Sequence, residues 1–467
     1  MLSLVLASIL VLGAVSSVYS RPAFADYTVT VDPSIKFQTI EGWGTSLCWW
    51  ANVVGAFPEP ARTDYIDKIF DPVQGLGLNI VRYNIGGGEN PLYLAPNKQY
   101  LSYRTNMAGF EPSPSVWDWT ADANQRYILK QAIARGANIV QAFSNSPPYW
   151  MTISGSVTGN HGGTDNLDPA HNADFADYLT TVTAHFQKSW GITFNSLEPL
   201  NEPDGHWWGF GGRQEGCYVD MTSANQVLTL VGQSLQAKRL KTALAASDDN
   251  NIDNAVKAYN SYDPETLSEI KLITTHAYGG SQRSELKQLA ASGGKDLWMS
   301  EYGDNDATGL RMSNSILRDI KDMGATAWVT WQAVDGGGWG LLDNPEKDSV
   351  NTSYTVNEKY YVLGQYSKFI RPGYVIIEND DPFSLTAWGK RSHKAVIVTT
   401  NDQDAPISVD YDLTKFSGQG DVTPYQTSPT QSLAQLNALH ESNGRFSFDL
   451  PAHSVTTFVI TGLMPSH

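Results

Sequence analysis

Thr193-Phe194-Asn195-Ser196-Leu197-Glu198-Pro199-Leu200-Asn201-Glu202-Pro203 is a short apolar run that stops in Asn, Glu and Pro, and runs of the same kind recur along the chain. Ile40 to Cys48, Leu78 to Ile85, Asn138 to Ser144 and Thr193 to Leu200 are the first four. Thr242 to Ser247, Ile270 to Ala277, Leu297 to Ser300 and Ala325 to Trp331 are the others. Each is rich in β-branched or aromatic residues, closes on polar residues or Gly, and reads as a buried strand. Stretches of helical composition lie between them, such as Asn124 to Ala134, Ala173 to Gln187, Ser223 to Lys238 and Asn314 to Asp322. Eight strands alternating with helices predict a closed (β/α)8 barrel, an α/β fold, rather than an open doubly wound sheet. Gly86-Gly87-Gly88 follows a strand, but it lacks the spacing of a dinucleotide-binding turn.

The pattern changes at both ends. Past Pro372, short alternating strands (Lys394 to Thr400, Ile407 to Tyr411, Phe446 to Leu450, Ser454 to Thr461) are separated by Asn, Asp, Gly, Pro and Ser, as in a β-sandwich. Tyr27 to Ile35 alternates in the same way and is expected to join that sandwich, so the side domain is built from both chain ends. The expected division is residues 26–38 for this strand, 39–371 for the barrel and 372–467 for the sandwich. Leu2 to Val15 is almost continuously apolar and is followed by small residues. It reads as a secretory signal peptide of residues 1–20, with cleavage as late as residue 25.

Composition narrows the function. With 48 Asp and Glu against 32 Lys and Arg, a net charge of −16, the chain is a poor partner for nucleic acid. No later stretch is apolar for the ~20 residues a membrane span needs. The expectation is a secreted, extracellular monomer that binds neither nucleic acid nor membrane. The 14 Trp and 22 Tyr suit stacking on sugar faces, or simply fill a core. Cys48 and Cys217 allow at most one bridge, and the sequence leaves pairing open. Asn351-Thr352-Ser353 is a candidate N-glycosylation site in an exposed loop. The nine His show no metal-ligand spacing, so no metal or other cofactor is expected.

Catalysts in such a barrel sit at the C-terminal ends of strands. The fourth strand ends in Glu202 and the seventh, Leu297-Trp298-Met299-Ser300-Glu301-Tyr302, in Glu301. Two carboxyls facing each other across a barrel mouth are what a retaining glycosidase requires, at about 5 Å across the bond to be cut. Repulsion between them keeps a proton on one, so that one of Glu202 and Glu301 can act as general acid/base and the other as nucleophile. Glu198 lies deeper on the fourth strand. Glu89, Asp248, Asp249 and Asp304 read as polar contacts of the rim. Asn201 is the expected partner of the sugar 2-hydroxyl, or else a loop cap. Arg82 and Tyr278 are expected to bind Glu301, with Arg82 lowering its pKa; the alternative for Arg82 is a surface salt bridge. His276 is either part of the site or a satisfied barrel histidine. Trp331 is expected to floor the subsite of the attacked sugar, and Trp43, Trp150, Trp207 and Trp208 to flank it or to pack.

A set of motifs in order resembles glycoside hydrolase family 30, and within it the fungal endo-β-1,6-galactanase group. It includes Gly42-Trp43-Gly44-Thr45-Ser46, Asn79 to Gly88, Asn145-Ser146-Pro147-Pro148-Tyr149-Trp150-Met151 and Leu200-Asn201-Glu202-Pro203. His276-Ala277-Tyr278, Ser300-Glu301-Tyr302-Gly303, Trp328-Val329-Thr330-Trp331-Gln332 and Tyr366 to Gly373 complete it. The resemblance implies a barrel with an attached β-sandwich, retention of configuration, Glu202 as general acid/base and Glu301 as nucleophile. It adds Asn145 to the substrate-binding candidates. The galactanase assignment rests on Gly86 to Asn90 and on the Trp-rich loop His206 to Gly212, and implies endo action on β-1,6-galactan side chains of arabinogalactan. The alternatives are another family 30 activity (endo-β-1,6-glucanase, glucosylceramidase or xylanase) and a catalytically dead carbohydrate-binding protein.

Overall fold

The computed structural model describes residues 25–94, 99–345 and 350–465, so the leader expected at residues 1–20 lies outside the described residues. After the N-terminal strand β1 (Tyr27–Thr39), each of the eight runs above forms one strand of a closed parallel barrel. These are β2 (Gly42–Ser46), β3 (Ile80–Asn84), β4 (Ile139–Phe143), β5 (Ser196–Glu198), β6 (Ala243–Asp249), β7 (Ile270–His276), β8 (Asp296–Tyr302) and β9 (Ala327–Gln332). Pairing of Gly42 with Ala327 and of Ser46 with Gln332 closes the ring.

Strand alternation divides the residues into two sets. Ile80, Ala245, Leu272, Trp298, Ala327 and Val329 point inward and fill the lower half of the barrel with one apolar cluster. Above them the same inward parity carries Arg82, Glu198, His276 and Ser300, all buried, up to the mouth. The outward set, including Trp43, Val81 and Tyr83, packs beneath the surrounding helices. That parity decides one open alternative. Trp43 is 1 % exposed, its Nε1 donates to Ile370 O at 2.7 Å, and its ring lies against Tyr366, so it is core and not a sugar platform.

β1 pairs antiparallel with Val375–Asn379 and parallel with Ile407–Asp412, which stitches the N-terminal segment into the C-terminal domain. The described strands there form one sheet that curls over on itself. Its inner face buries Val29, Val31, Trp388, Tyr411, Phe446 and Phe458. The helix Glu358–Ser367 joins the two domains: Ser367 Oγ donates to Leu76 O of the barrel, and Gln365 Nε2 to Thr427 Oγ1 of the sheet. Both cysteines are buried free thiols, which settles the question of a bridge. Asn351 is exposed, with its Oδ1 accepting from Ser353. Among the described residues no helix is long and apolar enough to cross a membrane.

Candidate active site

The C-terminal ends of the barrel strands surround a cleft of about 420 Å³. Glu202 lies just past β5 on a residue with φ 47°, and its N–H donates to Asp248 O at 2.9 Å. A left-handed non-glycine residue is strained and persists only where its surroundings fix it. Here Asp248 holds one side, and Trp208 the other through an Nε1–H donated to Glu202 O at 3.0 Å. Glu301 stands opposite on β8. An oxygen of Glu202 and an oxygen of Glu301 lie within 4.8 Å of each other, with His276 between them.

The two carboxyls are held differently. Both oxygens of Glu301 accept hydrogen bonds, Oε2 from Arg82 Nη1 at 2.8 Å and Oε1 from Tyr278 Oη at 2.9 Å. Glu202 receives Asn250 Nδ2 at 2.7 Å and faces His276 Nδ1 at 2.9 Å, both through Oε1. Burial holds the Glu301 carboxyl above the usual range, although His276 and Arg82 pull it down. The expected lowering by Arg82 is therefore present but outweighed, because the group is buried as well as paired.

Arg82 is fully buried under the pair. Besides Glu301 it binds Asp248 through Nη2 at 2.5 Å, Gln141 Oε1, Ser46 Oγ and, at 3.4 Å, Asn201 Oδ1, while its guanidinium lies over the Phe143 ring. Such a fork-shaped donor fixes several acceptors at once, and it excludes the alternative of a surface salt bridge. His276 faces carboxylates with both nitrogens, Glu202 at 2.9 Å and Asp248 at 3.3 Å. Burial opposes the charged ring, but Glu301 and Asp248 outweigh it and hold its pKa well above the ordinary value.

Asn145, Asn201, Tyr278, Trp331, Trp207 and Trp208 line the cleft with the two glutamates. Trp207 is 53 % exposed and presents its ring to solvent, whereas Trp208 is packed against Gly216 and Gly205. The loop that carries them fits because Gly163, at φ +65°, lies so close to His206 O that a Cβ would come within 1.8 Å. Gly87 has a similar role. A Cβ there would meet Pro147 O at 2.6 Å, and its N–H donates to Glu215 Oε1. The glycine run thus serves close packing of loops.

Trp150 is not brought to the cleft. It is half-buried, with Nε1 donating to Glu111 O and its ring edge against His171, because the short helical turn Tyr149–Met151 directs it into the neighbouring loops. The four rim carboxylates also lie elsewhere. Glu89 binds Ser156 and the backbone of Asn90, Asp304 binds Lys359 and Tyr302, and Asp248 and Asp249 are buried below the mouth. Glu198 is deeper still, and burial together with Asp248 pushes its carboxyl well up. Sequence reading passed over Asn250 and one wall of the cleft: Trp49, Asp335 and the 42 %-exposed Trp339. The Asp335-Gly336-Gly337-Gly338-Trp339 stretch after the last strand was the available signal.

Residues 26–292 match O-glycosyl hydrolase family 30. The chain is 36% identical to the endo-β-1,6-galactanase of Hypocrea rufa, an alignment covering 96% of this chain and 97% of that one. The chain belongs to glycoside hydrolase family 30. This family 30 enzyme is also 28% identical to glucuronoxylanase XynC of Bacillus subtilis, over 92% of its own length and 91% of the relative's. Among solved structures, the family 30 subfamily 8 xylanase from Clostridium acetobutylicum superposes with a TM-score of 0.71 at 26% identity, covering 93% of this chain and all of that one. The fold, a (β/α)8 barrel with an attached β-sandwich, is that of the family.

Proposed function

We propose that this family 30 hydrolase is a retaining endo-β-1,6-galactanase, acting on β-1,6-galactan side chains of arabinogalactan by double displacement. The separation of the two carboxyls carries the mechanism. Oxygens within 4.8 Å leave room for direct attack by one group, whereas an inverting pair stands ~6.5–9.5 Å apart to admit water. Glu202 protonates the leaving oxygen while Glu301 attacks the anomeric carbon, so that the C1–O bond breaks as the bond to Glu301 forms. Water then gives a proton to Glu202 and its oxygen to C1, releasing Glu301.

The substrate assignment is supported by the galactanase relative, matched across both chains. Endo action is supported by the exposed indoles of Trp207 and Trp339, which suit stacking of sugars beyond the attacked one. The N-terminal apolar segment supports secretion and the exposed Asn351 a glycan, as expected of an enzyme that meets plant polysaccharide outside the cell.

Purified protein should be offered de-arabinosylated arabinogalactan, the β-1,6-glucan pustulan and xylan in parallel, with products separated by size. The expected result is β-1,6-galacto-oligosaccharides of mixed length from the first alone. Cleavage of pustulan or xylan with no product from galactan overturns the substrate assignment and leaves the two-glutamate chemistry standing.

A further inference from the structure

The residues beneath the catalytic pair form a closed set of charges. Arg82 and His276 are cations, and Asp248, fully buried, is an anion tied to both, at 2.5 Å and 3.3 Å. Burial works against a charged Asp248, but Arg82 and His276 outweigh it and keep its carboxyl below the usual range. Ser300 Oγ donates to its other face at 2.6 Å. The remaining groups around the pair are neutral. Glu198 and Asp249 are pushed well up first by burial, as is Tyr278, and Cys48 likewise. Asp204, partly exposed and so outside the buried set, accepts from Asn254 Nδ2 and Asn250 N and lies beside Asp249.

Before reaction, two cations face two anions, Asp248 and Glu301, with Glu202 protonated. In the glycosyl-enzyme Glu301 is an uncharged ester and Glu202 has given its proton to the leaving group, so two cations again face two anions. Buried charge left unbalanced is costly, and this set is balanced in both states.

We propose that Asp248 is a positioning residue whose charge, set against Arg82 and His276, keeps the buried cluster neutral through both steps and so retains the acid proton on Glu202. The inference rests on the roles of Glu202 and Glu301 given above. Without Asp248 two cations would face one anion, and Glu202 would lose its proton at lower pH. Without His276 one cation would face two anions, and the proton would be kept to higher pH. An opposite charge this close moves a neighbouring ionisation by about one to three pH units.

The test is the alkaline limb of the pH profile of kcat/KM, measured for an aryl glycoside cleaved by the wild type. Asp248→Asn is expected to move that limb down by about one unit or more, and His276→Gln to move it up. The double variant, neutral again, is expected to return the limb to within about half a unit of wild type. Limbs that stay fixed in both single variants, or move the same way, overturn the proposal, as does a double variant displaced further than either single one. If Asp248→Asn does not fold, the direction of the His276→Gln shift decides. Glu202→Ala, assayed on a dinitrophenyl glycoside that needs no acid, separates the two readings. If the limb persists there, the role of Glu202 fails. If it vanishes there yet does not respond to Asp248, only the present inference fails.

Discussion

Glu301→Gln is expected to lose about four orders of magnitude in kcat, roughly 5 kcal/mol of transition-state stabilisation, with little change in KM. Gln keeps the shape of the side chain, but its single carbonyl oxygen accepts from only one of the two donors, Arg82 Nη1 or Tyr278 Oη, and its NH2 cannot accept from the other. What it cannot do is form the ester at C1. The variant should fold, since Arg82 keeps Asp248 as its counter-ion, but at somewhat lower stability than wild type, because Arg82 and His276 then face Asp248 alone. Glu202→Gln should behave differently, slowing hydrolysis of poor leaving groups by about 10²–10⁴-fold while sparing good ones, because only the former need a proton. Steady-state kinetics on aryl glycosides of graded leaving-group acidity separate the two roles. The pH dependence has a definite sign. Burial raises the Glu301 carboxyl, so the acidic limb of activity, where the nucleophile becomes protonated as pH falls, should lie above the ordinary carboxylate range, and Glu301→Gln removes it.

Arg82→Met has the second large effect, on stability as well as on rate. Removing the guanidinium leaves Asp248 and Glu301 buried with His276 as the one cation facing them among the described residues, and strands Gln141 and Ser46 without that donor. Breaking a buried ion pair from one side costs about 3–5 kcal/mol. The variant should therefore unfold at markedly lower urea and show no measurable turnover. Arg82→Lys should recover part of the stability, since a charge remains. It should recover little activity, because an ammonium cannot hold Glu301 and Asp248 in the fixed fork of the guanidinium. Urea unfolding of the three proteins, followed by tryptophan fluorescence, checks the order.

The barrel was legible because each of its strands ends in a change from apolar to polar residues, and that change is also what puts Glu202 and Glu301 at one rim. Arg82, Asn201, Tyr278 and Trp331 were legible for the same reason, as polar or aromatic residues at strand ends. Trp43 stayed open between platform and core because its parity was not fixed: it lies three residues before Ser46, near the N-terminal end of β2 and on the opposite face, so Ser46 meets the barrel interior and Trp43 the helix layer. Trp150 misled because it follows the strand on an irregular turn, whose direction no periodicity fixes. Asp248 was read at the correct strand but at the wrong depth. Its role depends on three partners from β3, β7 and β8 that only the closed ring brings together. Asn250, Trp49 and Trp339 belong to loops packed across the mouth, where neighbours come from distant parts of the chain. Burial is also why the Glu301 carboxyl is raised when the charges alone predict the opposite.

The most direct test of the two-glutamate account is the configuration of the first-formed product, followed by proton NMR of the anomeric signal during early hydrolysis of a β-linked substrate. The account predicts that the β-anomer appears first and the α-anomer only later, by mutarotation. Initial appearance of the α-anomer would contradict it, because a single displacement by water leaves no place for a covalent bond to Glu301.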